Sequence, residues 1–131
     1  MKITADTNVL VRAALMDHTT QSALAARTLI EAETVAVTVP SLCEFVWVLT
    51  RGYKRGIAEV ATAVRKLIDS AGVVVDRPAV EAGLAVLEEG GDFADGVIAF
   101  EGRRAGGQVF TSFDKQAVAL IAATGGETRL L

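Results

Sequence analysis

The sequence contains few of the residues on which disulfide-bonded, zinc-binding and histidine-dependent proteins rely. Its 131 residues include one cysteine, Cys43, and one histidine, His18. A single cysteine excludes an internal disulfide, and its position in an apolar run predicts a buried thiol in a reducing compartment. His18 lies in a polar stretch and is predicted to be on the surface, which disfavours zinc and leaves Ser-His or Cys-His catalysis without a base.

Long hydrophobic runs are also missing. Although 51% of the residues are apolar, no uninterrupted run reaches the roughly 18 residues of a membrane-spanning helix. Asp6 stands where a signal peptide would begin its apolar stretch, so we expect a cytoplasmic protein with no membrane contact. The net charge of −3 gives no general attraction to nucleic acid, so RNA binding would depend on a local basic rim.

Glycine-rich nucleotide-binding loops are absent too, because neither a G-x-G-x-x-G fingerprint nor a Walker A loop occurs. Instead, short valine-rich segments alternate with longer segments rich in Ala, Leu, Glu, Lys and Arg. This alternation predicts strands at 3–5, 35–39, 73–75, 108–111 and 128–131, and helices within 19–33, 41–70, 78–89, 93–105 and 114–124. We therefore predict a single α/β domain over residues 1–131, with three α-β-α layers around a mostly parallel central sheet.

Carboxylates recur where the predicted strands end. Asp6 follows the first strand, Asp92 and Asp95 precede or open the helix 93–105, and Asp114 follows the fourth strand. Taken singly, each position is typical of a helix N-cap, and the Asp92/Asp95 pair resembles a capping box. Taken together they indicate one site, because ligands bind beyond the carboxyl ends of the strands in a parallel sheet.

Glu44 is the one charged residue in the apolar segment 42–49. The segment predicts a helix that is apolar nearly all round, on which an ionised carboxylate must be paired, protonated or bound to a metal. The alternative is a carboxylate near a helix N-terminus after Pro40, where the helix dipole stabilises a negative charge. Both interpretations stay open.

Several carboxylates without a histidine or thiolate partner form an oxygen-only donor set. Hard oxygen ligands select Mg²⁺, with Mn²⁺ as the alternative. Without a metal such acids raise one another's pKa, and a divalent cation relieves their repulsion. This donor set is typical of metal-assisted phosphodiester hydrolysis.

The segments around these acids resemble the ordered acidic motifs of PIN domains, and the resemblance covers nearly the whole chain. They read DTNVLVR at 6–12, CEFVWVL at 43–49, DFADGVIA at 92–99 and TSFDK at 111–115. More narrowly, the chain resembles VapC-type toxins, small Mg²⁺-dependent endoribonucleases of bacterial toxin–antitoxin pairs. The resemblance implies RNA hydrolysis by metal-activated water that leaves a 5′-phosphate, a homodimer, and a cognate antitoxin protein.

The resemblance also implies a role for individual residues. The implied catalytic and metal-binding residues are Asp6, Glu44, Asp95 and Asp114, supported by Thr7 and Asn8, which would orient Asp6, and by Asp92 as an extra acid. In the family, the third acid precedes a small residue, an aliphatic residue, Ile and Ala, so it aligns with Asp95. The presence of Asp92 leaves that choice open. Asp95 shares a helix face with Ala99 and Gly102, and these small residues predict a close approach of that face to other backbone.

A basic segment supplies candidates for substrate binding. Arg12, Arg51, Lys54 and Arg55 are candidate phosphate-binding residues, and Tyr53 adds a ring that can stack on a base. The alternative is a solvated helix end, where cations are favoured by the helix dipole.

Two other functions fit parts of the pattern. A phosphoacceptor signalling domain also places acids and Mg²⁺ at strand ends, but usually has paired acids after the first strand, where Asp6 stands alone, and a lysine after the last strand. A catalytically silent module that only docks an antitoxin-like partner would not need complete acidic motifs. Acetyl phosphate labelling would identify the first, and a metal titration of activity would separate the second from an enzyme.

Overall fold

The computed structural model describes residues 1–131 and divides them into two compact units. The first unit covers Met1–Asp76 and the second covers Arg77–Leu131. Each unit alternates helices with short strands, and every strand pair in both is parallel. The predicted α/β class and the parallel strand pairing are therefore confirmed.

The first unit contains a three-stranded sheet in the order β1-β2-β3. Val35 lies at its centre, opposite Ile3 on one side and Val73 on the other, and is fully buried. The elements of this unit are β1 (Lys2–Thr4), α1 (Thr7–Leu15), α2 (Thr19–Glu31), β2 (Thr34–Ala36), α3 (Val39–Trp47), α4 (Ile57–Ile68) and β3 (Val73–Val74). Burial of the central valine is expected because a middle strand covered by helices faces apolar side chains on both sides.

A break in the predicted helical segment 41–70 separates α3 from α4. A π-helical turn, Val48–Gly52, continues α3, and the chain leaves the helix at Tyr53. Lys54 then adopts a left-handed backbone with φ of +53°, and Gly56 is the N-cap of α4. A left-handed residue cannot continue a right-handed helix, so the segment forms two helices.

The second unit contains a two-stranded parallel sheet with Phe110 opposite Thr128. Its elements are α5 (Arg77–Glu88), α6 (Phe93–Arg104), β4 (Val109–Ser112), α7 (Lys115–Ala123) and β5 (Glu127–Leu130). The core includes Val80, Leu84, Phe93 and Val97, which are all buried. These residues come from α5 and α6, so the helix pair is the main packing unit here.

A glycine contact sets how closely α5 and α6 approach. A Cβ atom added at Gly96 would collide with the carbonyl oxygen of Ala82 on α5. At Gly102, by contrast, an added Cβ would meet no atom within 4 Å. α6 therefore approaches the backbone of α5 at Gly96, which was not predicted, and the prediction that Gly102 permits a close approach was wrong, because Gly102 faces open space.

Two single residues differ in how well their positions were predicted. His18 is exposed, as predicted, and its Nδ1 accepts a hydrogen bond from the Gln21 amide at 2.9 Å. Cys43 is half-buried rather than buried, so the prediction of a core thiol was too strong. No helix combines the length and apolar character needed to cross a membrane.

Candidate functional site

Asp6 connects the end of β1 to the start of α1. Its backbone is extended, and its Oδ1 accepts a hydrogen bond from the Thr7 amide at 2.8 Å, which makes it the N-cap of the helix. The side chain is exposed. The capping interpretation is therefore correct, and it leaves Oδ2 without a hydrogen bond.

The two residues after Asp6 differ in what they offer. Thr7 is buried and orients the carboxylate through its backbone amide, which any residue at this position would supply. Asn8 is exposed and makes no side-chain hydrogen bond. Their predicted role in orienting Asp6 stays a prediction for both side chains.

Glu44 lies on α3, which packs against α1 in the first unit. Its side chain is exposed, because the buried stripe of this helix consists of Leu42, Phe45 and Val46. Thr38 caps the helix, so Glu44 also lies beyond the first turn. Burial therefore does not force Glu44 into a pair, and Glu44 is not at the helix N-terminus, while metal binding by Glu44 stays a prediction.

Asp92 and Asp114 are N-caps in the second unit. Oδ1 of Asp92 accepts from the Ala94 amide at 2.9 Å, and Oδ1 of Asp114 accepts from the Ala117 amide at 3.0 Å. The capping interpretations of both are therefore correct. The predicted capping box is not formed, because the carboxylate of Asp95 makes no hydrogen bond and only its backbone amide reaches Asp92.

Asp95 stands out electrostatically. Burial raises the pKa of its carboxyl above the ordinary value, and the negative charges of Asp92 and Asp114 raise it further. Asp92 and Asp114 are themselves exposed. The structure thus brings these three acids into one local field, as expected for a metal-free cluster of carboxylates.

The donor chemistry of the second unit fits a hard divalent cation. Each capping acid uses one oxygen for its helix and keeps the other free, and Asp95 keeps both. Burial and then the charges of Asp92 and Asp114 raise the pKa of Asp95, and a bound cation would relieve the part that is due to those charges. No group of three or more His, Cys, Asp or Glu side chains is already arranged to hold a metal ion.

Arg12 is held by three side chains of the first unit. Its Nε donates to Gln21 at 3.0 Å, and its Nη1 lies 3.4 Å from the Asp17 carboxylate and 3.5 Å from the Tyr53 hydroxyl. Sequence reasoning found Arg12 and Tyr53 but missed Asp17 and Gln21, because neither lies at a helical spacing from Arg12. The guanidinium is therefore already partly neutralised.

The other basic candidates divide into paired and unpaired residues. Arg55 forms an ion pair with Glu59 at 3.2 Å, one helical turn away. Arg51 and Lys54 are exposed and have no ion pair. Of this group, Arg51 and Lys54 keep their full charge for a phosphate.

A large cavity of the protein is lined by residues other than these acids. It has a volume of about 660 Å³ and lies in the first unit. Its lining is mostly apolar and includes Leu10, Leu15, Leu29, Leu49 and Leu67. None of the predicted metal-binding residues contributes to it, so size alone does not identify the functional site here.

Comparison with known proteins places these observations in a family. The family model of the PIN domain matches residues 3–123. The matched span contains every acid described above. A search of curated proteins gives no match.

Proposed function

Because the chain belongs to the PIN-domain family, whose members are generally nucleases that bind divalent metal ions, we propose that it is a Mg²⁺-dependent endoribonuclease. Mn²⁺ is the alternative cofactor, since it also prefers oxygen ligands. The family match runs through both compact units. We therefore treat residues 1–131 as one functional PIN-like domain.

The main support is the electrostatic cluster formed by Asp92, Asp95 and Asp114. Three carboxylates in one field are unfavourable unless a proton or a cation compensates them. Burial raises the pKa of the half-buried member, Asp95, and the charges of the other two acids raise it further. Perturbed carboxyl groups of this kind are typical of functional sites.

We propose Asp6, Glu44, Asp95 and Asp114 as the metal-binding and catalytic residues. Between the two candidates for the third acid, Asp95 is favoured over Asp92, because Asp95 is half-buried whereas Asp92 is exposed. The Asp95 carboxylate makes no hydrogen bond and has the perturbed pKa. Asp92 then contributes negative charge beside it.

The chemistry that a bound divalent cation supplies is a lowered pKa of water and neutralisation of phosphate charge. The residues of the chain would orient the carboxylates and bind the RNA backbone. Oδ1 of Asp6 and of Asp114 fixes each carboxylate against a helix start, so the free oxygen of each is presented in a defined direction. Arg51 and Lys54 would attract the RNA backbone.

We further propose that the protein is the toxin of a toxin–antitoxin pair, acting in the cytoplasm as a homodimer controlled by a cognate antitoxin. The support is the order and spacing of the acidic motifs, which resemble those of VapC-type toxins. A short neighbouring reading frame that encodes a DNA-binding fold with a disordered tail would support this role. Expression without that neighbour should then arrest growth, and coexpression should restore it.

Cleavage of defined single-stranded RNAs tests the enzymatic proposal. We expect the wild-type protein to cleave with Mg²⁺ and to stop when a chelator is added, and Asp95→Asn to be inactive. Glu101→Gln is the matched control, because Glu101 is an exposed acid on the same helix as Asp95. Cleavage by Asp95→Asn at the wild-type rate would refute the assignment, and acetyl phosphate labelling without cleavage would replace it with the phosphoacceptor function.

A further inference from the structure

Phe113 differs from the other phenylalanines of the chain in its exposure. Of the five, Phe45 and Phe93 are 1% exposed, and Phe100 and Phe110 are half-buried. Phe113 is 80% exposed. An isolated exposed apolar side chain is common on protein surfaces, so its position must decide whether it has a function.

The position of Phe113 is next to a proposed metal-binding acid. It lies between the end of β4 and Asp114, the N-cap of α7. Consecutive Cα atoms are about 3.8 Å apart, so the ring begins one residue from the acid cluster of the second unit. A group bound at Asp114 would therefore be held one residue along the chain from an exposed aromatic side chain.

The turn that carries Phe113 is held on both sides. The Asp114 amide donates to Oγ of Ser112 at 3.0 Å, and the Asp114 carboxylate accepts from the Ala117 amide at 3.0 Å. The ring therefore extends into solvent from a fixed backbone. A fixed aromatic residue loses little conformational entropy when a ligand stacks on it.

The residues around Phe113 indicate the chemistry of its ligand. The three residues that follow Phe113 in the chain, Asp114, Lys115 and Gln116, are exposed and polar. Lys115 has no ion pair, so an ammonium group is available for a phosphate close to the ring. An aromatic face next to a free cation suits a nucleotide, which has a base and a phosphate.

We propose that Phe113 is a substrate-binding residue that stacks on a nucleobase of single-stranded RNA next to the scissile phosphate, with Lys115 contacting the backbone. The inference rests on the proposed ribonuclease function and extends it. Phenylalanine has no polar atom, so it stacks on any base and does not select a sequence. Stacking of this type contributes about 1–3 kcal/mol per base.

Steady-state kinetics of substituted proteins test the role in substrate binding. Phe113→Leu keeps the apolar volume but loses the aromatic face, and we expect it to raise KM at least fivefold, the equivalent of about 1 kcal/mol, with kcat nearly unchanged. Phe113→Trp should retain the wild-type KM. Ile30→Ala is the matched control, because Ile30 is 82% exposed and adjoins none of the proposed site residues. A wild-type KM for Phe113→Leu would overturn the proposal.

A binding measurement separates this inference from the ribonuclease function. The chain has one tryptophan, Trp47, so the double variant Trp47→Phe, Phe113→Trp reports only on position 113. We expect an oligouridine to quench its fluorescence and an abasic oligonucleotide of equal length to do so far less. Quenching without cleavage by the wild-type protein would support base stacking and refute the nuclease.

The opposite results are equally informative. Cleavage by the wild-type protein without base-dependent quenching at position 113 would refute the stacking and leave the nuclease intact. A Phe113→Leu protein with normal RNA kinetics but a lower oligomeric mass by light scattering would assign the ring to a protein interface instead.

Discussion

Burial raises the pKa of Asp95 on α6, and the negative charge of Asp114, at the start of α7, raises it further. Two acids that are 19 positions apart in the chain by their numbering thus act on one another because two helices of the same unit begin near one place. Asp92 adds to the effect, and burial is the largest cause. The proposed site therefore combines a half-buried carboxyl group with two nearby negative charges.

The helix-capping and metal-binding roles of Asp114 can be separated by two substitutions. Asparagine caps helices about as well as aspartate, so Asp114→Asn should leave the thermal unfolding midpoint nearly unchanged while abolishing RNA cleavage. Asp114→Ala removes the cap as well and should cost about 1 kcal/mol of stability. The same pair of substitutions at Asp6 should behave alike. Equal unfolding midpoints for the Asn and Ala variants would show that the cap contributes nothing.

The stability of the metal-free protein should fall as the pH rises through the raised pKa of Asp95. The unfolded carboxyl titrates near about 3.9, so the folded state holds this proton more tightly than the unfolded state does. The stabilisation of the folded state by this proton is complete below the pKa of the unfolded carboxyl. It is lost as the pH rises through the pKa of the folded carboxyl. The unfolding midpoint of Asp95→Asn minus that of the wild type should therefore increase as the pH rises above about 4.

The control for this pH experiment is the magnesium-loaded protein. A cation that relieves the repulsion should reduce the difference between Asp95→Asn and the wild type at neutral pH. Thermal unfolding in chelator and in Mg²⁺ provides the comparison. A difference that stays constant across the whole pH range would contradict the raised pKa.

Replacing each of two glycines of α6 by alanine should change the stability of the fold in opposite directions. Gly96→Ala places a methyl group against the Ala82 carbonyl oxygen and should destabilise the fold by about 1–3 kcal/mol. Gly102→Ala meets no atom within 4 Å and should stabilise the helix by about 0.5–1 kcal/mol. Chemical denaturation measures both. Equal shifts for the two variants would show that the close approach of α5 and α6 does not limit residue size.

Unpaired and paired arginines should differ in their effect on RNA binding. Arg51→Ala removes a free charge and should raise KM severalfold, reducing the slope of log affinity against log salt by about 0.7. Arg55→Ala should change KM and the salt slope less, because Arg55 already forms an ion pair with Glu59. Binding isotherms at several salt concentrations test this. A larger effect at Arg55 would indicate that its ion pair opens when RNA binds.

Local patterns in the sequence were sufficient to predict much of the fold. The valine run at 73–75 predicted β3, observed at Val73–Val74, and the helical segment 78–89 predicted α5, observed at Arg77–Glu88. The capping roles of Asp6, Asp92 and Asp114 also followed from residue type and position. These features depend on interactions within a few residues, which the sequence displays directly.

Features that depend on distant contacts were not predictable in the same way. Apolar neighbours suggested that Glu44 would be buried or paired, but one face of α3 is open to solvent. Gly96 and Gly102 look alike in sequence, and only packing against α5 distinguishes them. The exposure of Phe113 and the Arg12–Gln21 bond likewise depend on how elements pack. Packing against distant residues is not encoded in any short spacing.

The double use of a single carboxylate group has a thermodynamic consequence. Asp114 secures the first turn of α7 with one oxygen while its second oxygen remains available. Any ligand that engages the second oxygen favours the capped conformation, and fraying of that turn releases the ligand. Hydrogen exchange of the Ala117 amide therefore reports on occupancy of the proposed site, and we expect it to slow as magnesium is added. Under the proposed metal-binding role of Asp114, binding of the ion and ordering of the first turn of α7 are thermodynamically linked.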